Sequence, residues 1–153
     1  MTKKISIPQE AAEAELITLL DAMDIDTDVD SMLEDDAKDF KDKLRTLAKP
    51  IMMGRAIVDG DSYVLTLKKP ISDDEKTITI TEPGGTAWEM MDKGGKNQDM
   101  KKLMMFIAGM VGAPYVQINR LPNSDLKILK EFALLFWLNN GSSSKRWGVA
   151  ATP

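Results

Sequence analysis

Aspartates at alternate positions from Asp24 to Asp30 are the first residues in this sequence whose type and spacing suggest chemistry. They fall at positions 1, 3, 5 and 7 of a twelve-residue loop, where an EF-hand supplies oxygen ligands to calcium. The other two anchors of such a loop are missing. Position 6, normally glycine, is Val29, and position 12, normally a bidentate glutamate, is Asp35. The pattern therefore favours a solvated acidic linker over a functional calcium loop.

Side chains for other chemistry are scarce. The sequence contains neither cysteine nor histidine, which removes thiol nucleophiles, the commonest general base and the commonest zinc ligands. A carboxylate pair such as Glu82 with Asp125 could perform acid–base catalysis, but nothing in the sequence brings the two together. We expect a protein without enzymatic activity, cofactor or metal.

Length and charge narrow the class further. A chain of 153 residues is one domain that can bury a core without disulfides or metals. The net charge of -4 argues against a general nucleic-acid binder. The longest apolar run, residues 103–116, is too short to span a bilayer and contains Pro114. We therefore expect a soluble, cytosolic protein that binds neither nucleic acid nor membrane.

The N-terminal third is predicted to be an acidic helical hairpin, residues 1–49, with 13 acidic and 7 basic residues. A first helix begins near Pro8, with Ser6 as its cap, and reaches about Met23. A second runs from about Ser31 to Ala48, and Pro50 ends it. Its narrow apolar seam suits pairing either with the first helix or with another subunit.

The middle of the chain alternates like a small antiparallel sheet. Strands are predicted at 56–58, 63–67 and 77–81, with the turn signal DGDS between the first two. They form a β-meander covering about residues 55–82. The fold class is therefore α+β and mostly helical, with this meander between the N-terminal hairpin and a C-terminal helical bundle.

Helices are predicted after the sheet. A short one spans about Thr86 to Lys93, with Trp88 and Met91 as its apolar anchors. A methionine-rich helix begins at Asn97 and ends at an elbow, and a last helix starts after Pro122 and ends at Asn139. This gives a domain over 50–138 and a flexible tail over 139–153.

The two long C-terminal helices carry more apolar surface than one buried stripe requires. Six of the 11 methionines lie between residues 90 and 110, and methionine suits surfaces that accept varied partners. Either these helices form the centre of the core or they present a second apolar face. If the face exists, its candidate lining is Met104, Met105, Phe106, Phe136 and Trp137.

The order of short motifs resembles the tail assembly chaperones of contractile-tailed bacteriophages and related prophages. A strand ending TLKKPI is followed by a strand ending TITITEP, a helix ending FIAGMVGAP, the step VQINRL and an SDL-led apolar helix. The family often has arginine where this chain has Thr81. The resemblance covers residues 63–138, and its matching positions are Pro70, Ile71, Glu82, Pro83, Gly112, Pro114, Ile118, Leu121, Asp125 and Phe136.

The resemblance implies a non-enzymatic helper in the host cell cytoplasm. It would bind the long, apolar, helical tape measure protein during tail assembly and be absent from the mature virion. Self-association is a further option. Two alternatives stay open at this point, a structural tail or baseplate component retained in the virion and a small calcium- or partner-binding regulator built on the acidic arm.

Overall fold

The computed structural model describes residues 7–68, 70, 76–93 and 98–151, with side chains described as far as residue 137. Of the elements described, six are α-helices, one is a short 3-10 turn and three are strands of a single sheet. The described part of the chain is mostly helical. The predicted α+β, mostly helical fold with a small antiparallel sheet is confirmed.

The N-terminal hairpin consists of α1 (Gln9–Ala22) and α2 (Glu34–Met52), joined by a linker with a 3-10 turn at Val29–Ser31. Pro8 occupies the cap position just before α1, where its missing N–H costs nothing. The predicted cap at Ser6 lies outside the described residues. Both helices bury their apolar stripes in one continuous core, so the hairpin shares the core of the remaining chain. The predicted domain boundary at residue 49 falls inside α2.

Pro50 does not end α2, contrary to the sequence-based prediction. Its fixed φ is compatible with a helix, and the cost of its missing N–H falls in the last turn only. Pro50 and Ile51 are buried, so packing favours the extra turn. Gly54, at φ 80°, provides the stop. The amide of Gly54 bonds to the Ile51 carbonyl and that of Arg55 to the Pro50 carbonyl, which is a Schellman closure.

The sheet has the strand order β1 (Ala56–Asp59), β2 (Ser62–Thr66), β3 (Thr77–Ile80), with both pairs antiparallel. Gly60, at φ 63°, permits the two-residue turn between β1 and β2. One face of the sheet is buried, as the alternation predicts. On that face Tyr63 meets the ring of Phe132 edge-on, with centroids 4.7 Å apart. The Tyr63 hydroxyl donates to the Leu47 carbonyl of α2 at 2.8 Å.

Two further helices, α3 (Gly85–Asp92) and α4 (Asp99–Val111), pack closely against each other. A Cβ built on Gly109 would lie 2.6 Å from the Cα of Ala87. Ala87 is itself buried, so the small residues of both helices let the two backbones approach. The predicted helix start at Asn97 lies outside the described residues.

The C-terminal part contains α5 (Tyr115–Asn119) and α6 (Asn123–Ala151). No helix was predicted over residues 115–119, and the predicted end of α6 at Asn139 is wrong, because the helix continues to Ala151. In α5, Pro114 supplies the N-terminal cap position and Ile118 is buried in the core, so packing stabilises a segment too short to be helical by itself. In α6 no proline interrupts the chain before Ala151, and Asn and Gly lower helix propensity without forbidding a helix.

None of the described helices is long and apolar enough to cross a membrane.

Replacing Gly109 with alanine should lower the free energy of unfolding by about 1–3 kcal/mol, because the new methyl group meets the backbone of α3. Thermal and urea denaturation would measure the loss. Gly85→Ala is the matched control, since a Cβ there has no neighbour within 4 Å. If the two variants were equally stable, the close approach of α3 and α4 would be wrong.

Alkaline pH should destabilise the protein through Tyr63. Burial raises the pKa of the Tyr63 phenol, and the nearby positive charge of Arg55 only partly opposes this shift. The folded protein therefore holds a proton that the unfolded chain releases above about pH 10, so stability is intact below that pH and falls as the pH rises further. Urea denaturation at about pH 8 and about pH 11 would show a larger loss for the wild type than for Tyr63→Phe. An equal loss in both would contradict the assignment.

Candidate functional site

The aromatic ring of Phe106 joins three helices. Phe106 lies on α4, fully buried, and contacts Trp88 of α3 at a centroid distance of 4.7 Å and an interplanar angle of 61°. It also contacts Trp137 of α6, at a centroid distance of 5.8 Å and an interplanar angle of 70°. Both are edge-to-face geometries, the arrangement that the charge distribution of aromatic rings favours.

The two tryptophans are only partly buried, although both pack on a fully buried ring. On each helix a second large apolar side chain lies three residues from the tryptophan and therefore on the same face of the helix. Met91 follows Trp88 by three residues on α3, and Leu134 precedes Trp137 by three on α6, and both are partly buried. We call these side chains, with the partly buried Met105 of α4, the two-tryptophan surface: Trp88, Met91, Met105, Leu134 and Trp137.

The predicted lining residues separate into two groups. Met104, Phe106 and Phe136 are buried in the core, so in the isolated chain they contact other parts of the protein and form no open groove. Met105 and Trp137 are partly exposed. A partner can therefore reach two of the five predicted residues without rearrangement of the core.

Trp88, Met91 and Leu134 were missed as candidates. Trp88 and Met91 were interpreted only as apolar anchors of their own short helix, and Leu134 was not among the predicted lining residues. The sequence did contain a signal for these residues, because two large apolar residues lie three positions apart both in α3 and in α6. What the sequence could not show is that the buried ring of Phe106 brings the two segments together.

The indole nitrogen of Trp137 is buried and has no hydrogen-bond partner among the described residues. An unsatisfied buried donor costs about 1–3 kcal/mol. Tryptophan is also the residue type most enriched among energetically important positions of protein interfaces. The indole N–H is thus a donor for which this part of the fold supplies no acceptor.

A buried ion pair fixes the helix that carries Trp137. Asp125 lies fully buried in the first turn of α6. Its Oδ1 accepts a hydrogen bond from Arg55 Nη2 at 2.6 Å, and its Oδ2 accepts one from the backbone N–H of Lys68 at 2.8 Å. The same Arg55 nitrogen donates to the carbonyl of Thr66 at 3.3 Å. One carboxylate therefore ties α6 to the start of β1 and the end of β2.

Glu82 is exposed, and both oxygens of Asp125 are used by Arg55 and Lys68. The carboxylate of Asp125 therefore has a structural role, which is to hold the first turn of α6 against the sheet.

The other residues on which the sequence resemblance rests occupy turns and core positions. Gly112 ends α4 in the left-handed conformation at φ 72°, and its N–H bonds to the Ala108 carbonyl at 2.9 Å. Pro114 begins α5, and Leu121 is buried beyond it. Pro70 is exposed and Pro83 partly buried, both outside helices and strands. Ile71 lies outside the described residues.

The acidic linker folds on itself through local hydrogen bonds. The N–H of Asp28 bonds to Asp26 Oδ1 at 3.0 Å, and Ser31 Oγ donates to Asp28 Oδ2 at 2.6 Å. Thr27 Oγ1 donates to Asp21 Oδ1 at 2.6 Å. In the described part of the chain, no group of three or more acidic side chains converges as metal ligands would.

Asp125→Asn should lower the free energy of unfolding by about 2–4 kcal/mol, because it leaves the half-buried Arg55 guanidinium without its counter-charge. Chemical denaturation at neutral pH would measure this. The matched control is Asp42→Asn, whose ion pair with Arg45 is exposed on both sides and is worth about 0–1 kcal/mol. Equal effects from the two substitutions would show that the buried pair does not anchor α6.

Comparison of this chain with protein-family models, with curated protein sequences and with solved structures finds no match.

Proposed function

We propose that this protein is a phage tail assembly chaperone that binds the apolar, helical tape measure protein and keeps it soluble during tail assembly. The observation that carries the proposal is the two-tryptophan surface. Trp88 of α3 and Trp137 of α6 are partly exposed and contact the buried ring of Phe106 on α4, and the partly exposed Met91, Met105 and Leu134 lie near these three residues along their helices. Such a surface suits an apolar helix better than it suits a small polar ligand.

The composition of this surface fits a partner of variable sequence. Amphipathic helices bind in apolar grooves through residues spaced three and four apart. Methionine adapts its shape to different side chains, and tryptophan offers a large rigid face at low entropic cost. Met91 and Met105 lie alongside Trp88 and Trp137 in this surface. The orphan N–H of Trp137 adds a donor that a polar group of the partner can satisfy after a small movement of the indole ring.

The positions of the residues that carry the family resemblance also support the proposed chaperone function. Gly112 stops α4, Asp125 anchors α6, and Ile118 and Leu121 pack the connection between them. These residues set the relative placement of the two helices that carry Met105 and Trp137. The motif would thus preserve the scaffold of the surface, while the surface itself is free to vary with the partner.

The proposed role places the protein in the host cell cytoplasm during assembly and outside the finished particle. A structural tail or baseplate component would instead remain in the virion. Mass spectrometry of purified virions separates these two functions, because only the second leaves the protein in the particle at a fixed copy number.

Co-expression with the tape measure protein from the same genome should keep that protein in the soluble fraction, and the two should co-purify. Trp137→Ala should weaken binding about 10- to 30-fold, the loss expected when an interface tryptophan is truncated. Met105→Ala should act in the same direction with a smaller effect. Phe106→Ala is a poor probe, because Phe106 is a fully buried core residue.

The matched control is Leu33→Ala. Leu33 is an exposed apolar residue at the start of α2, so its loss should leave binding unchanged. Circular dichroism and thermal denaturation of each variant establish that it is folded before its binding is compared. If the tape measure protein stays insoluble beside the folded wild type, the proposal is wrong. If Leu33→Ala weakens binding as much as Trp137→Ala, the assigned surface is wrong.

A further inference from the structure

We propose that the two-tryptophan surface binds a helix whose apolar stripe is flanked by acidic residues, and that four lysines of α4 and α6 recognise those residues. The inference rests on the proposed function, because it names the chemistry of the helical partner that this surface accepts. It follows from helical spacing, from the ion pairs of the described residues and from the overall charge of the chain.

On α4, two lysines lie one turn before the accessible methionine of the surface. Lys101 precedes Met105 by four residues and Lys102 precedes it by three, and residues at these spacings are neighbours on a helix surface. Lys101 is exposed and Lys102 is partly buried. Because a helical side chain leans over the preceding turn, Met105 lies next to both lysines, and a partner that contacts Met105 meets two positive charges.

The same arrangement recurs on α6. Lys130 precedes Leu134 by four residues, and Lys127 lies a further three residues back. With Trp137, these residues have the spacing of one helical face. Lys127 is exposed and Lys130 is partly buried. The apolar row of α6 therefore continues into a basic row toward the N-terminus of the helix.

Within the described residues, these four lysines form no ion pair. The carboxylates on the described part of α6 are engaged elsewhere. Asp125 binds Arg55 at the sheet, and Glu131 Oε2 lies 3.6 Å from Nζ of Lys43 on α2. The one carboxylate of α4, Asp99, is in the first turn, where it complements the helix dipole. The four ammonium groups therefore remain available to a partner.

The α3 side of the surface has the opposite charge. The charged residues of α3 are both acidic and both exposed, Glu89 and Asp92. Charge complementarity across an interface determines which partner binds and in which orientation. The acidic residues of the partner helix should therefore lie over α4 and α6, away from α3.

The overall charge of the protein would produce the opposite preference. The chain has a net charge of -4, so non-specific attraction favours basic partners over acidic ones. Tighter binding of an acidic helix would therefore come from the local arrangement of the four lysines and could not come from the charge of the whole protein.

Two synthetic helical peptides test this preference. Both carry one stripe of leucine and alanine at positions i, i+3, i+4 and i+7, and the positions that flank the stripe are glutamate in one peptide and lysine in the other. Fluorescence anisotropy with the full-length protein should show that the glutamate peptide binds about tenfold more tightly at about 50 mM salt. The difference should shrink at about 500 mM salt, because screening weakens exposed charge pairs.

A double charge reversal tests whether the lysines cause the preference. Lys101→Glu combined with Lys130→Glu changes one lysine on each helix and should abolish it. The matched control, Lys38→Glu combined with Lys41→Glu, makes the same change in net charge at two exposed positions of α2 and should retain it. None of these lysines forms an ion pair among the described residues, so both variants should be as stable as the wild type in thermal denaturation.

Two results would overturn the inference. One is equal binding of the two peptides to the wild type, including no binding of either. The other is a glutamate preference that persists in the folded double variant of α4 and α6. Failure of the proposed function gives a different result, because co-purification of the tape measure protein is measured separately. If that protein co-purifies while the peptides bind equally, only the charge preference is wrong. If the glutamate peptide is preferred while the tape measure protein stays insoluble, only the identity of the partner is wrong.

Discussion

The pairing of Asp125 with Arg55 is the constraint on which the placement of the C-terminal helices depends. A carboxylate that is fully buried must be paired and hydrogen-bonded, since leaving a charge without a partner costs several kcal/mol. Here the guanidinium of Arg55 and the amide of Lys68 satisfy both oxygens. Because Arg55 and Lys68 belong to the sheet region, the first turn of α6 is held at the end of the sheet where they lie.

From that point the course of α6 determines two aromatic contacts. Its third turn brings Phe132 to the ring of Tyr63, whose hydroxyl donates a hydrogen bond to α2. Farther along, Trp137 reaches Phe106 of α4. One helix thereby connects the N-terminal hairpin, the sheet and the methionine-rich helix. Most apolar residues of α4 and α6 are buried by such contacts, while Met100 is exposed and Met105, Leu134 and Trp137 are partly exposed.

Much of the local structure could be read from the sequence. The three strands follow from alternation and from the turn residues around Gly60, and the first two helices follow from their apolar periodicity. Errors arose where packing outweighed a local signal. Pro50 lies within α2 because burial of Ile51 favours another turn. The five-residue helix α5 exists because Ile118 is packed in the core, which no propensity indicates for so short a segment.

The candidate site was predictable only in part. Periodicity identified apolar residues on α4 and α6 but could not rank them by exposure, because both helices carry apolar residues on more than one face.

The sequence by itself determined which functional groups this protein has, with no cysteine or histidine and with an acidic linker. It also determined the positions of the three strands and of most of the helices. Only the tertiary structure decided that Met104, Phe106 and Phe136 are core residues while Met105 and Trp137 are accessible, and that Asp125 binds Arg55 across 70 residues of chain. The physical reason is that burial and charge pairing depend on which surfaces meet, and this is a property of the whole packed chain.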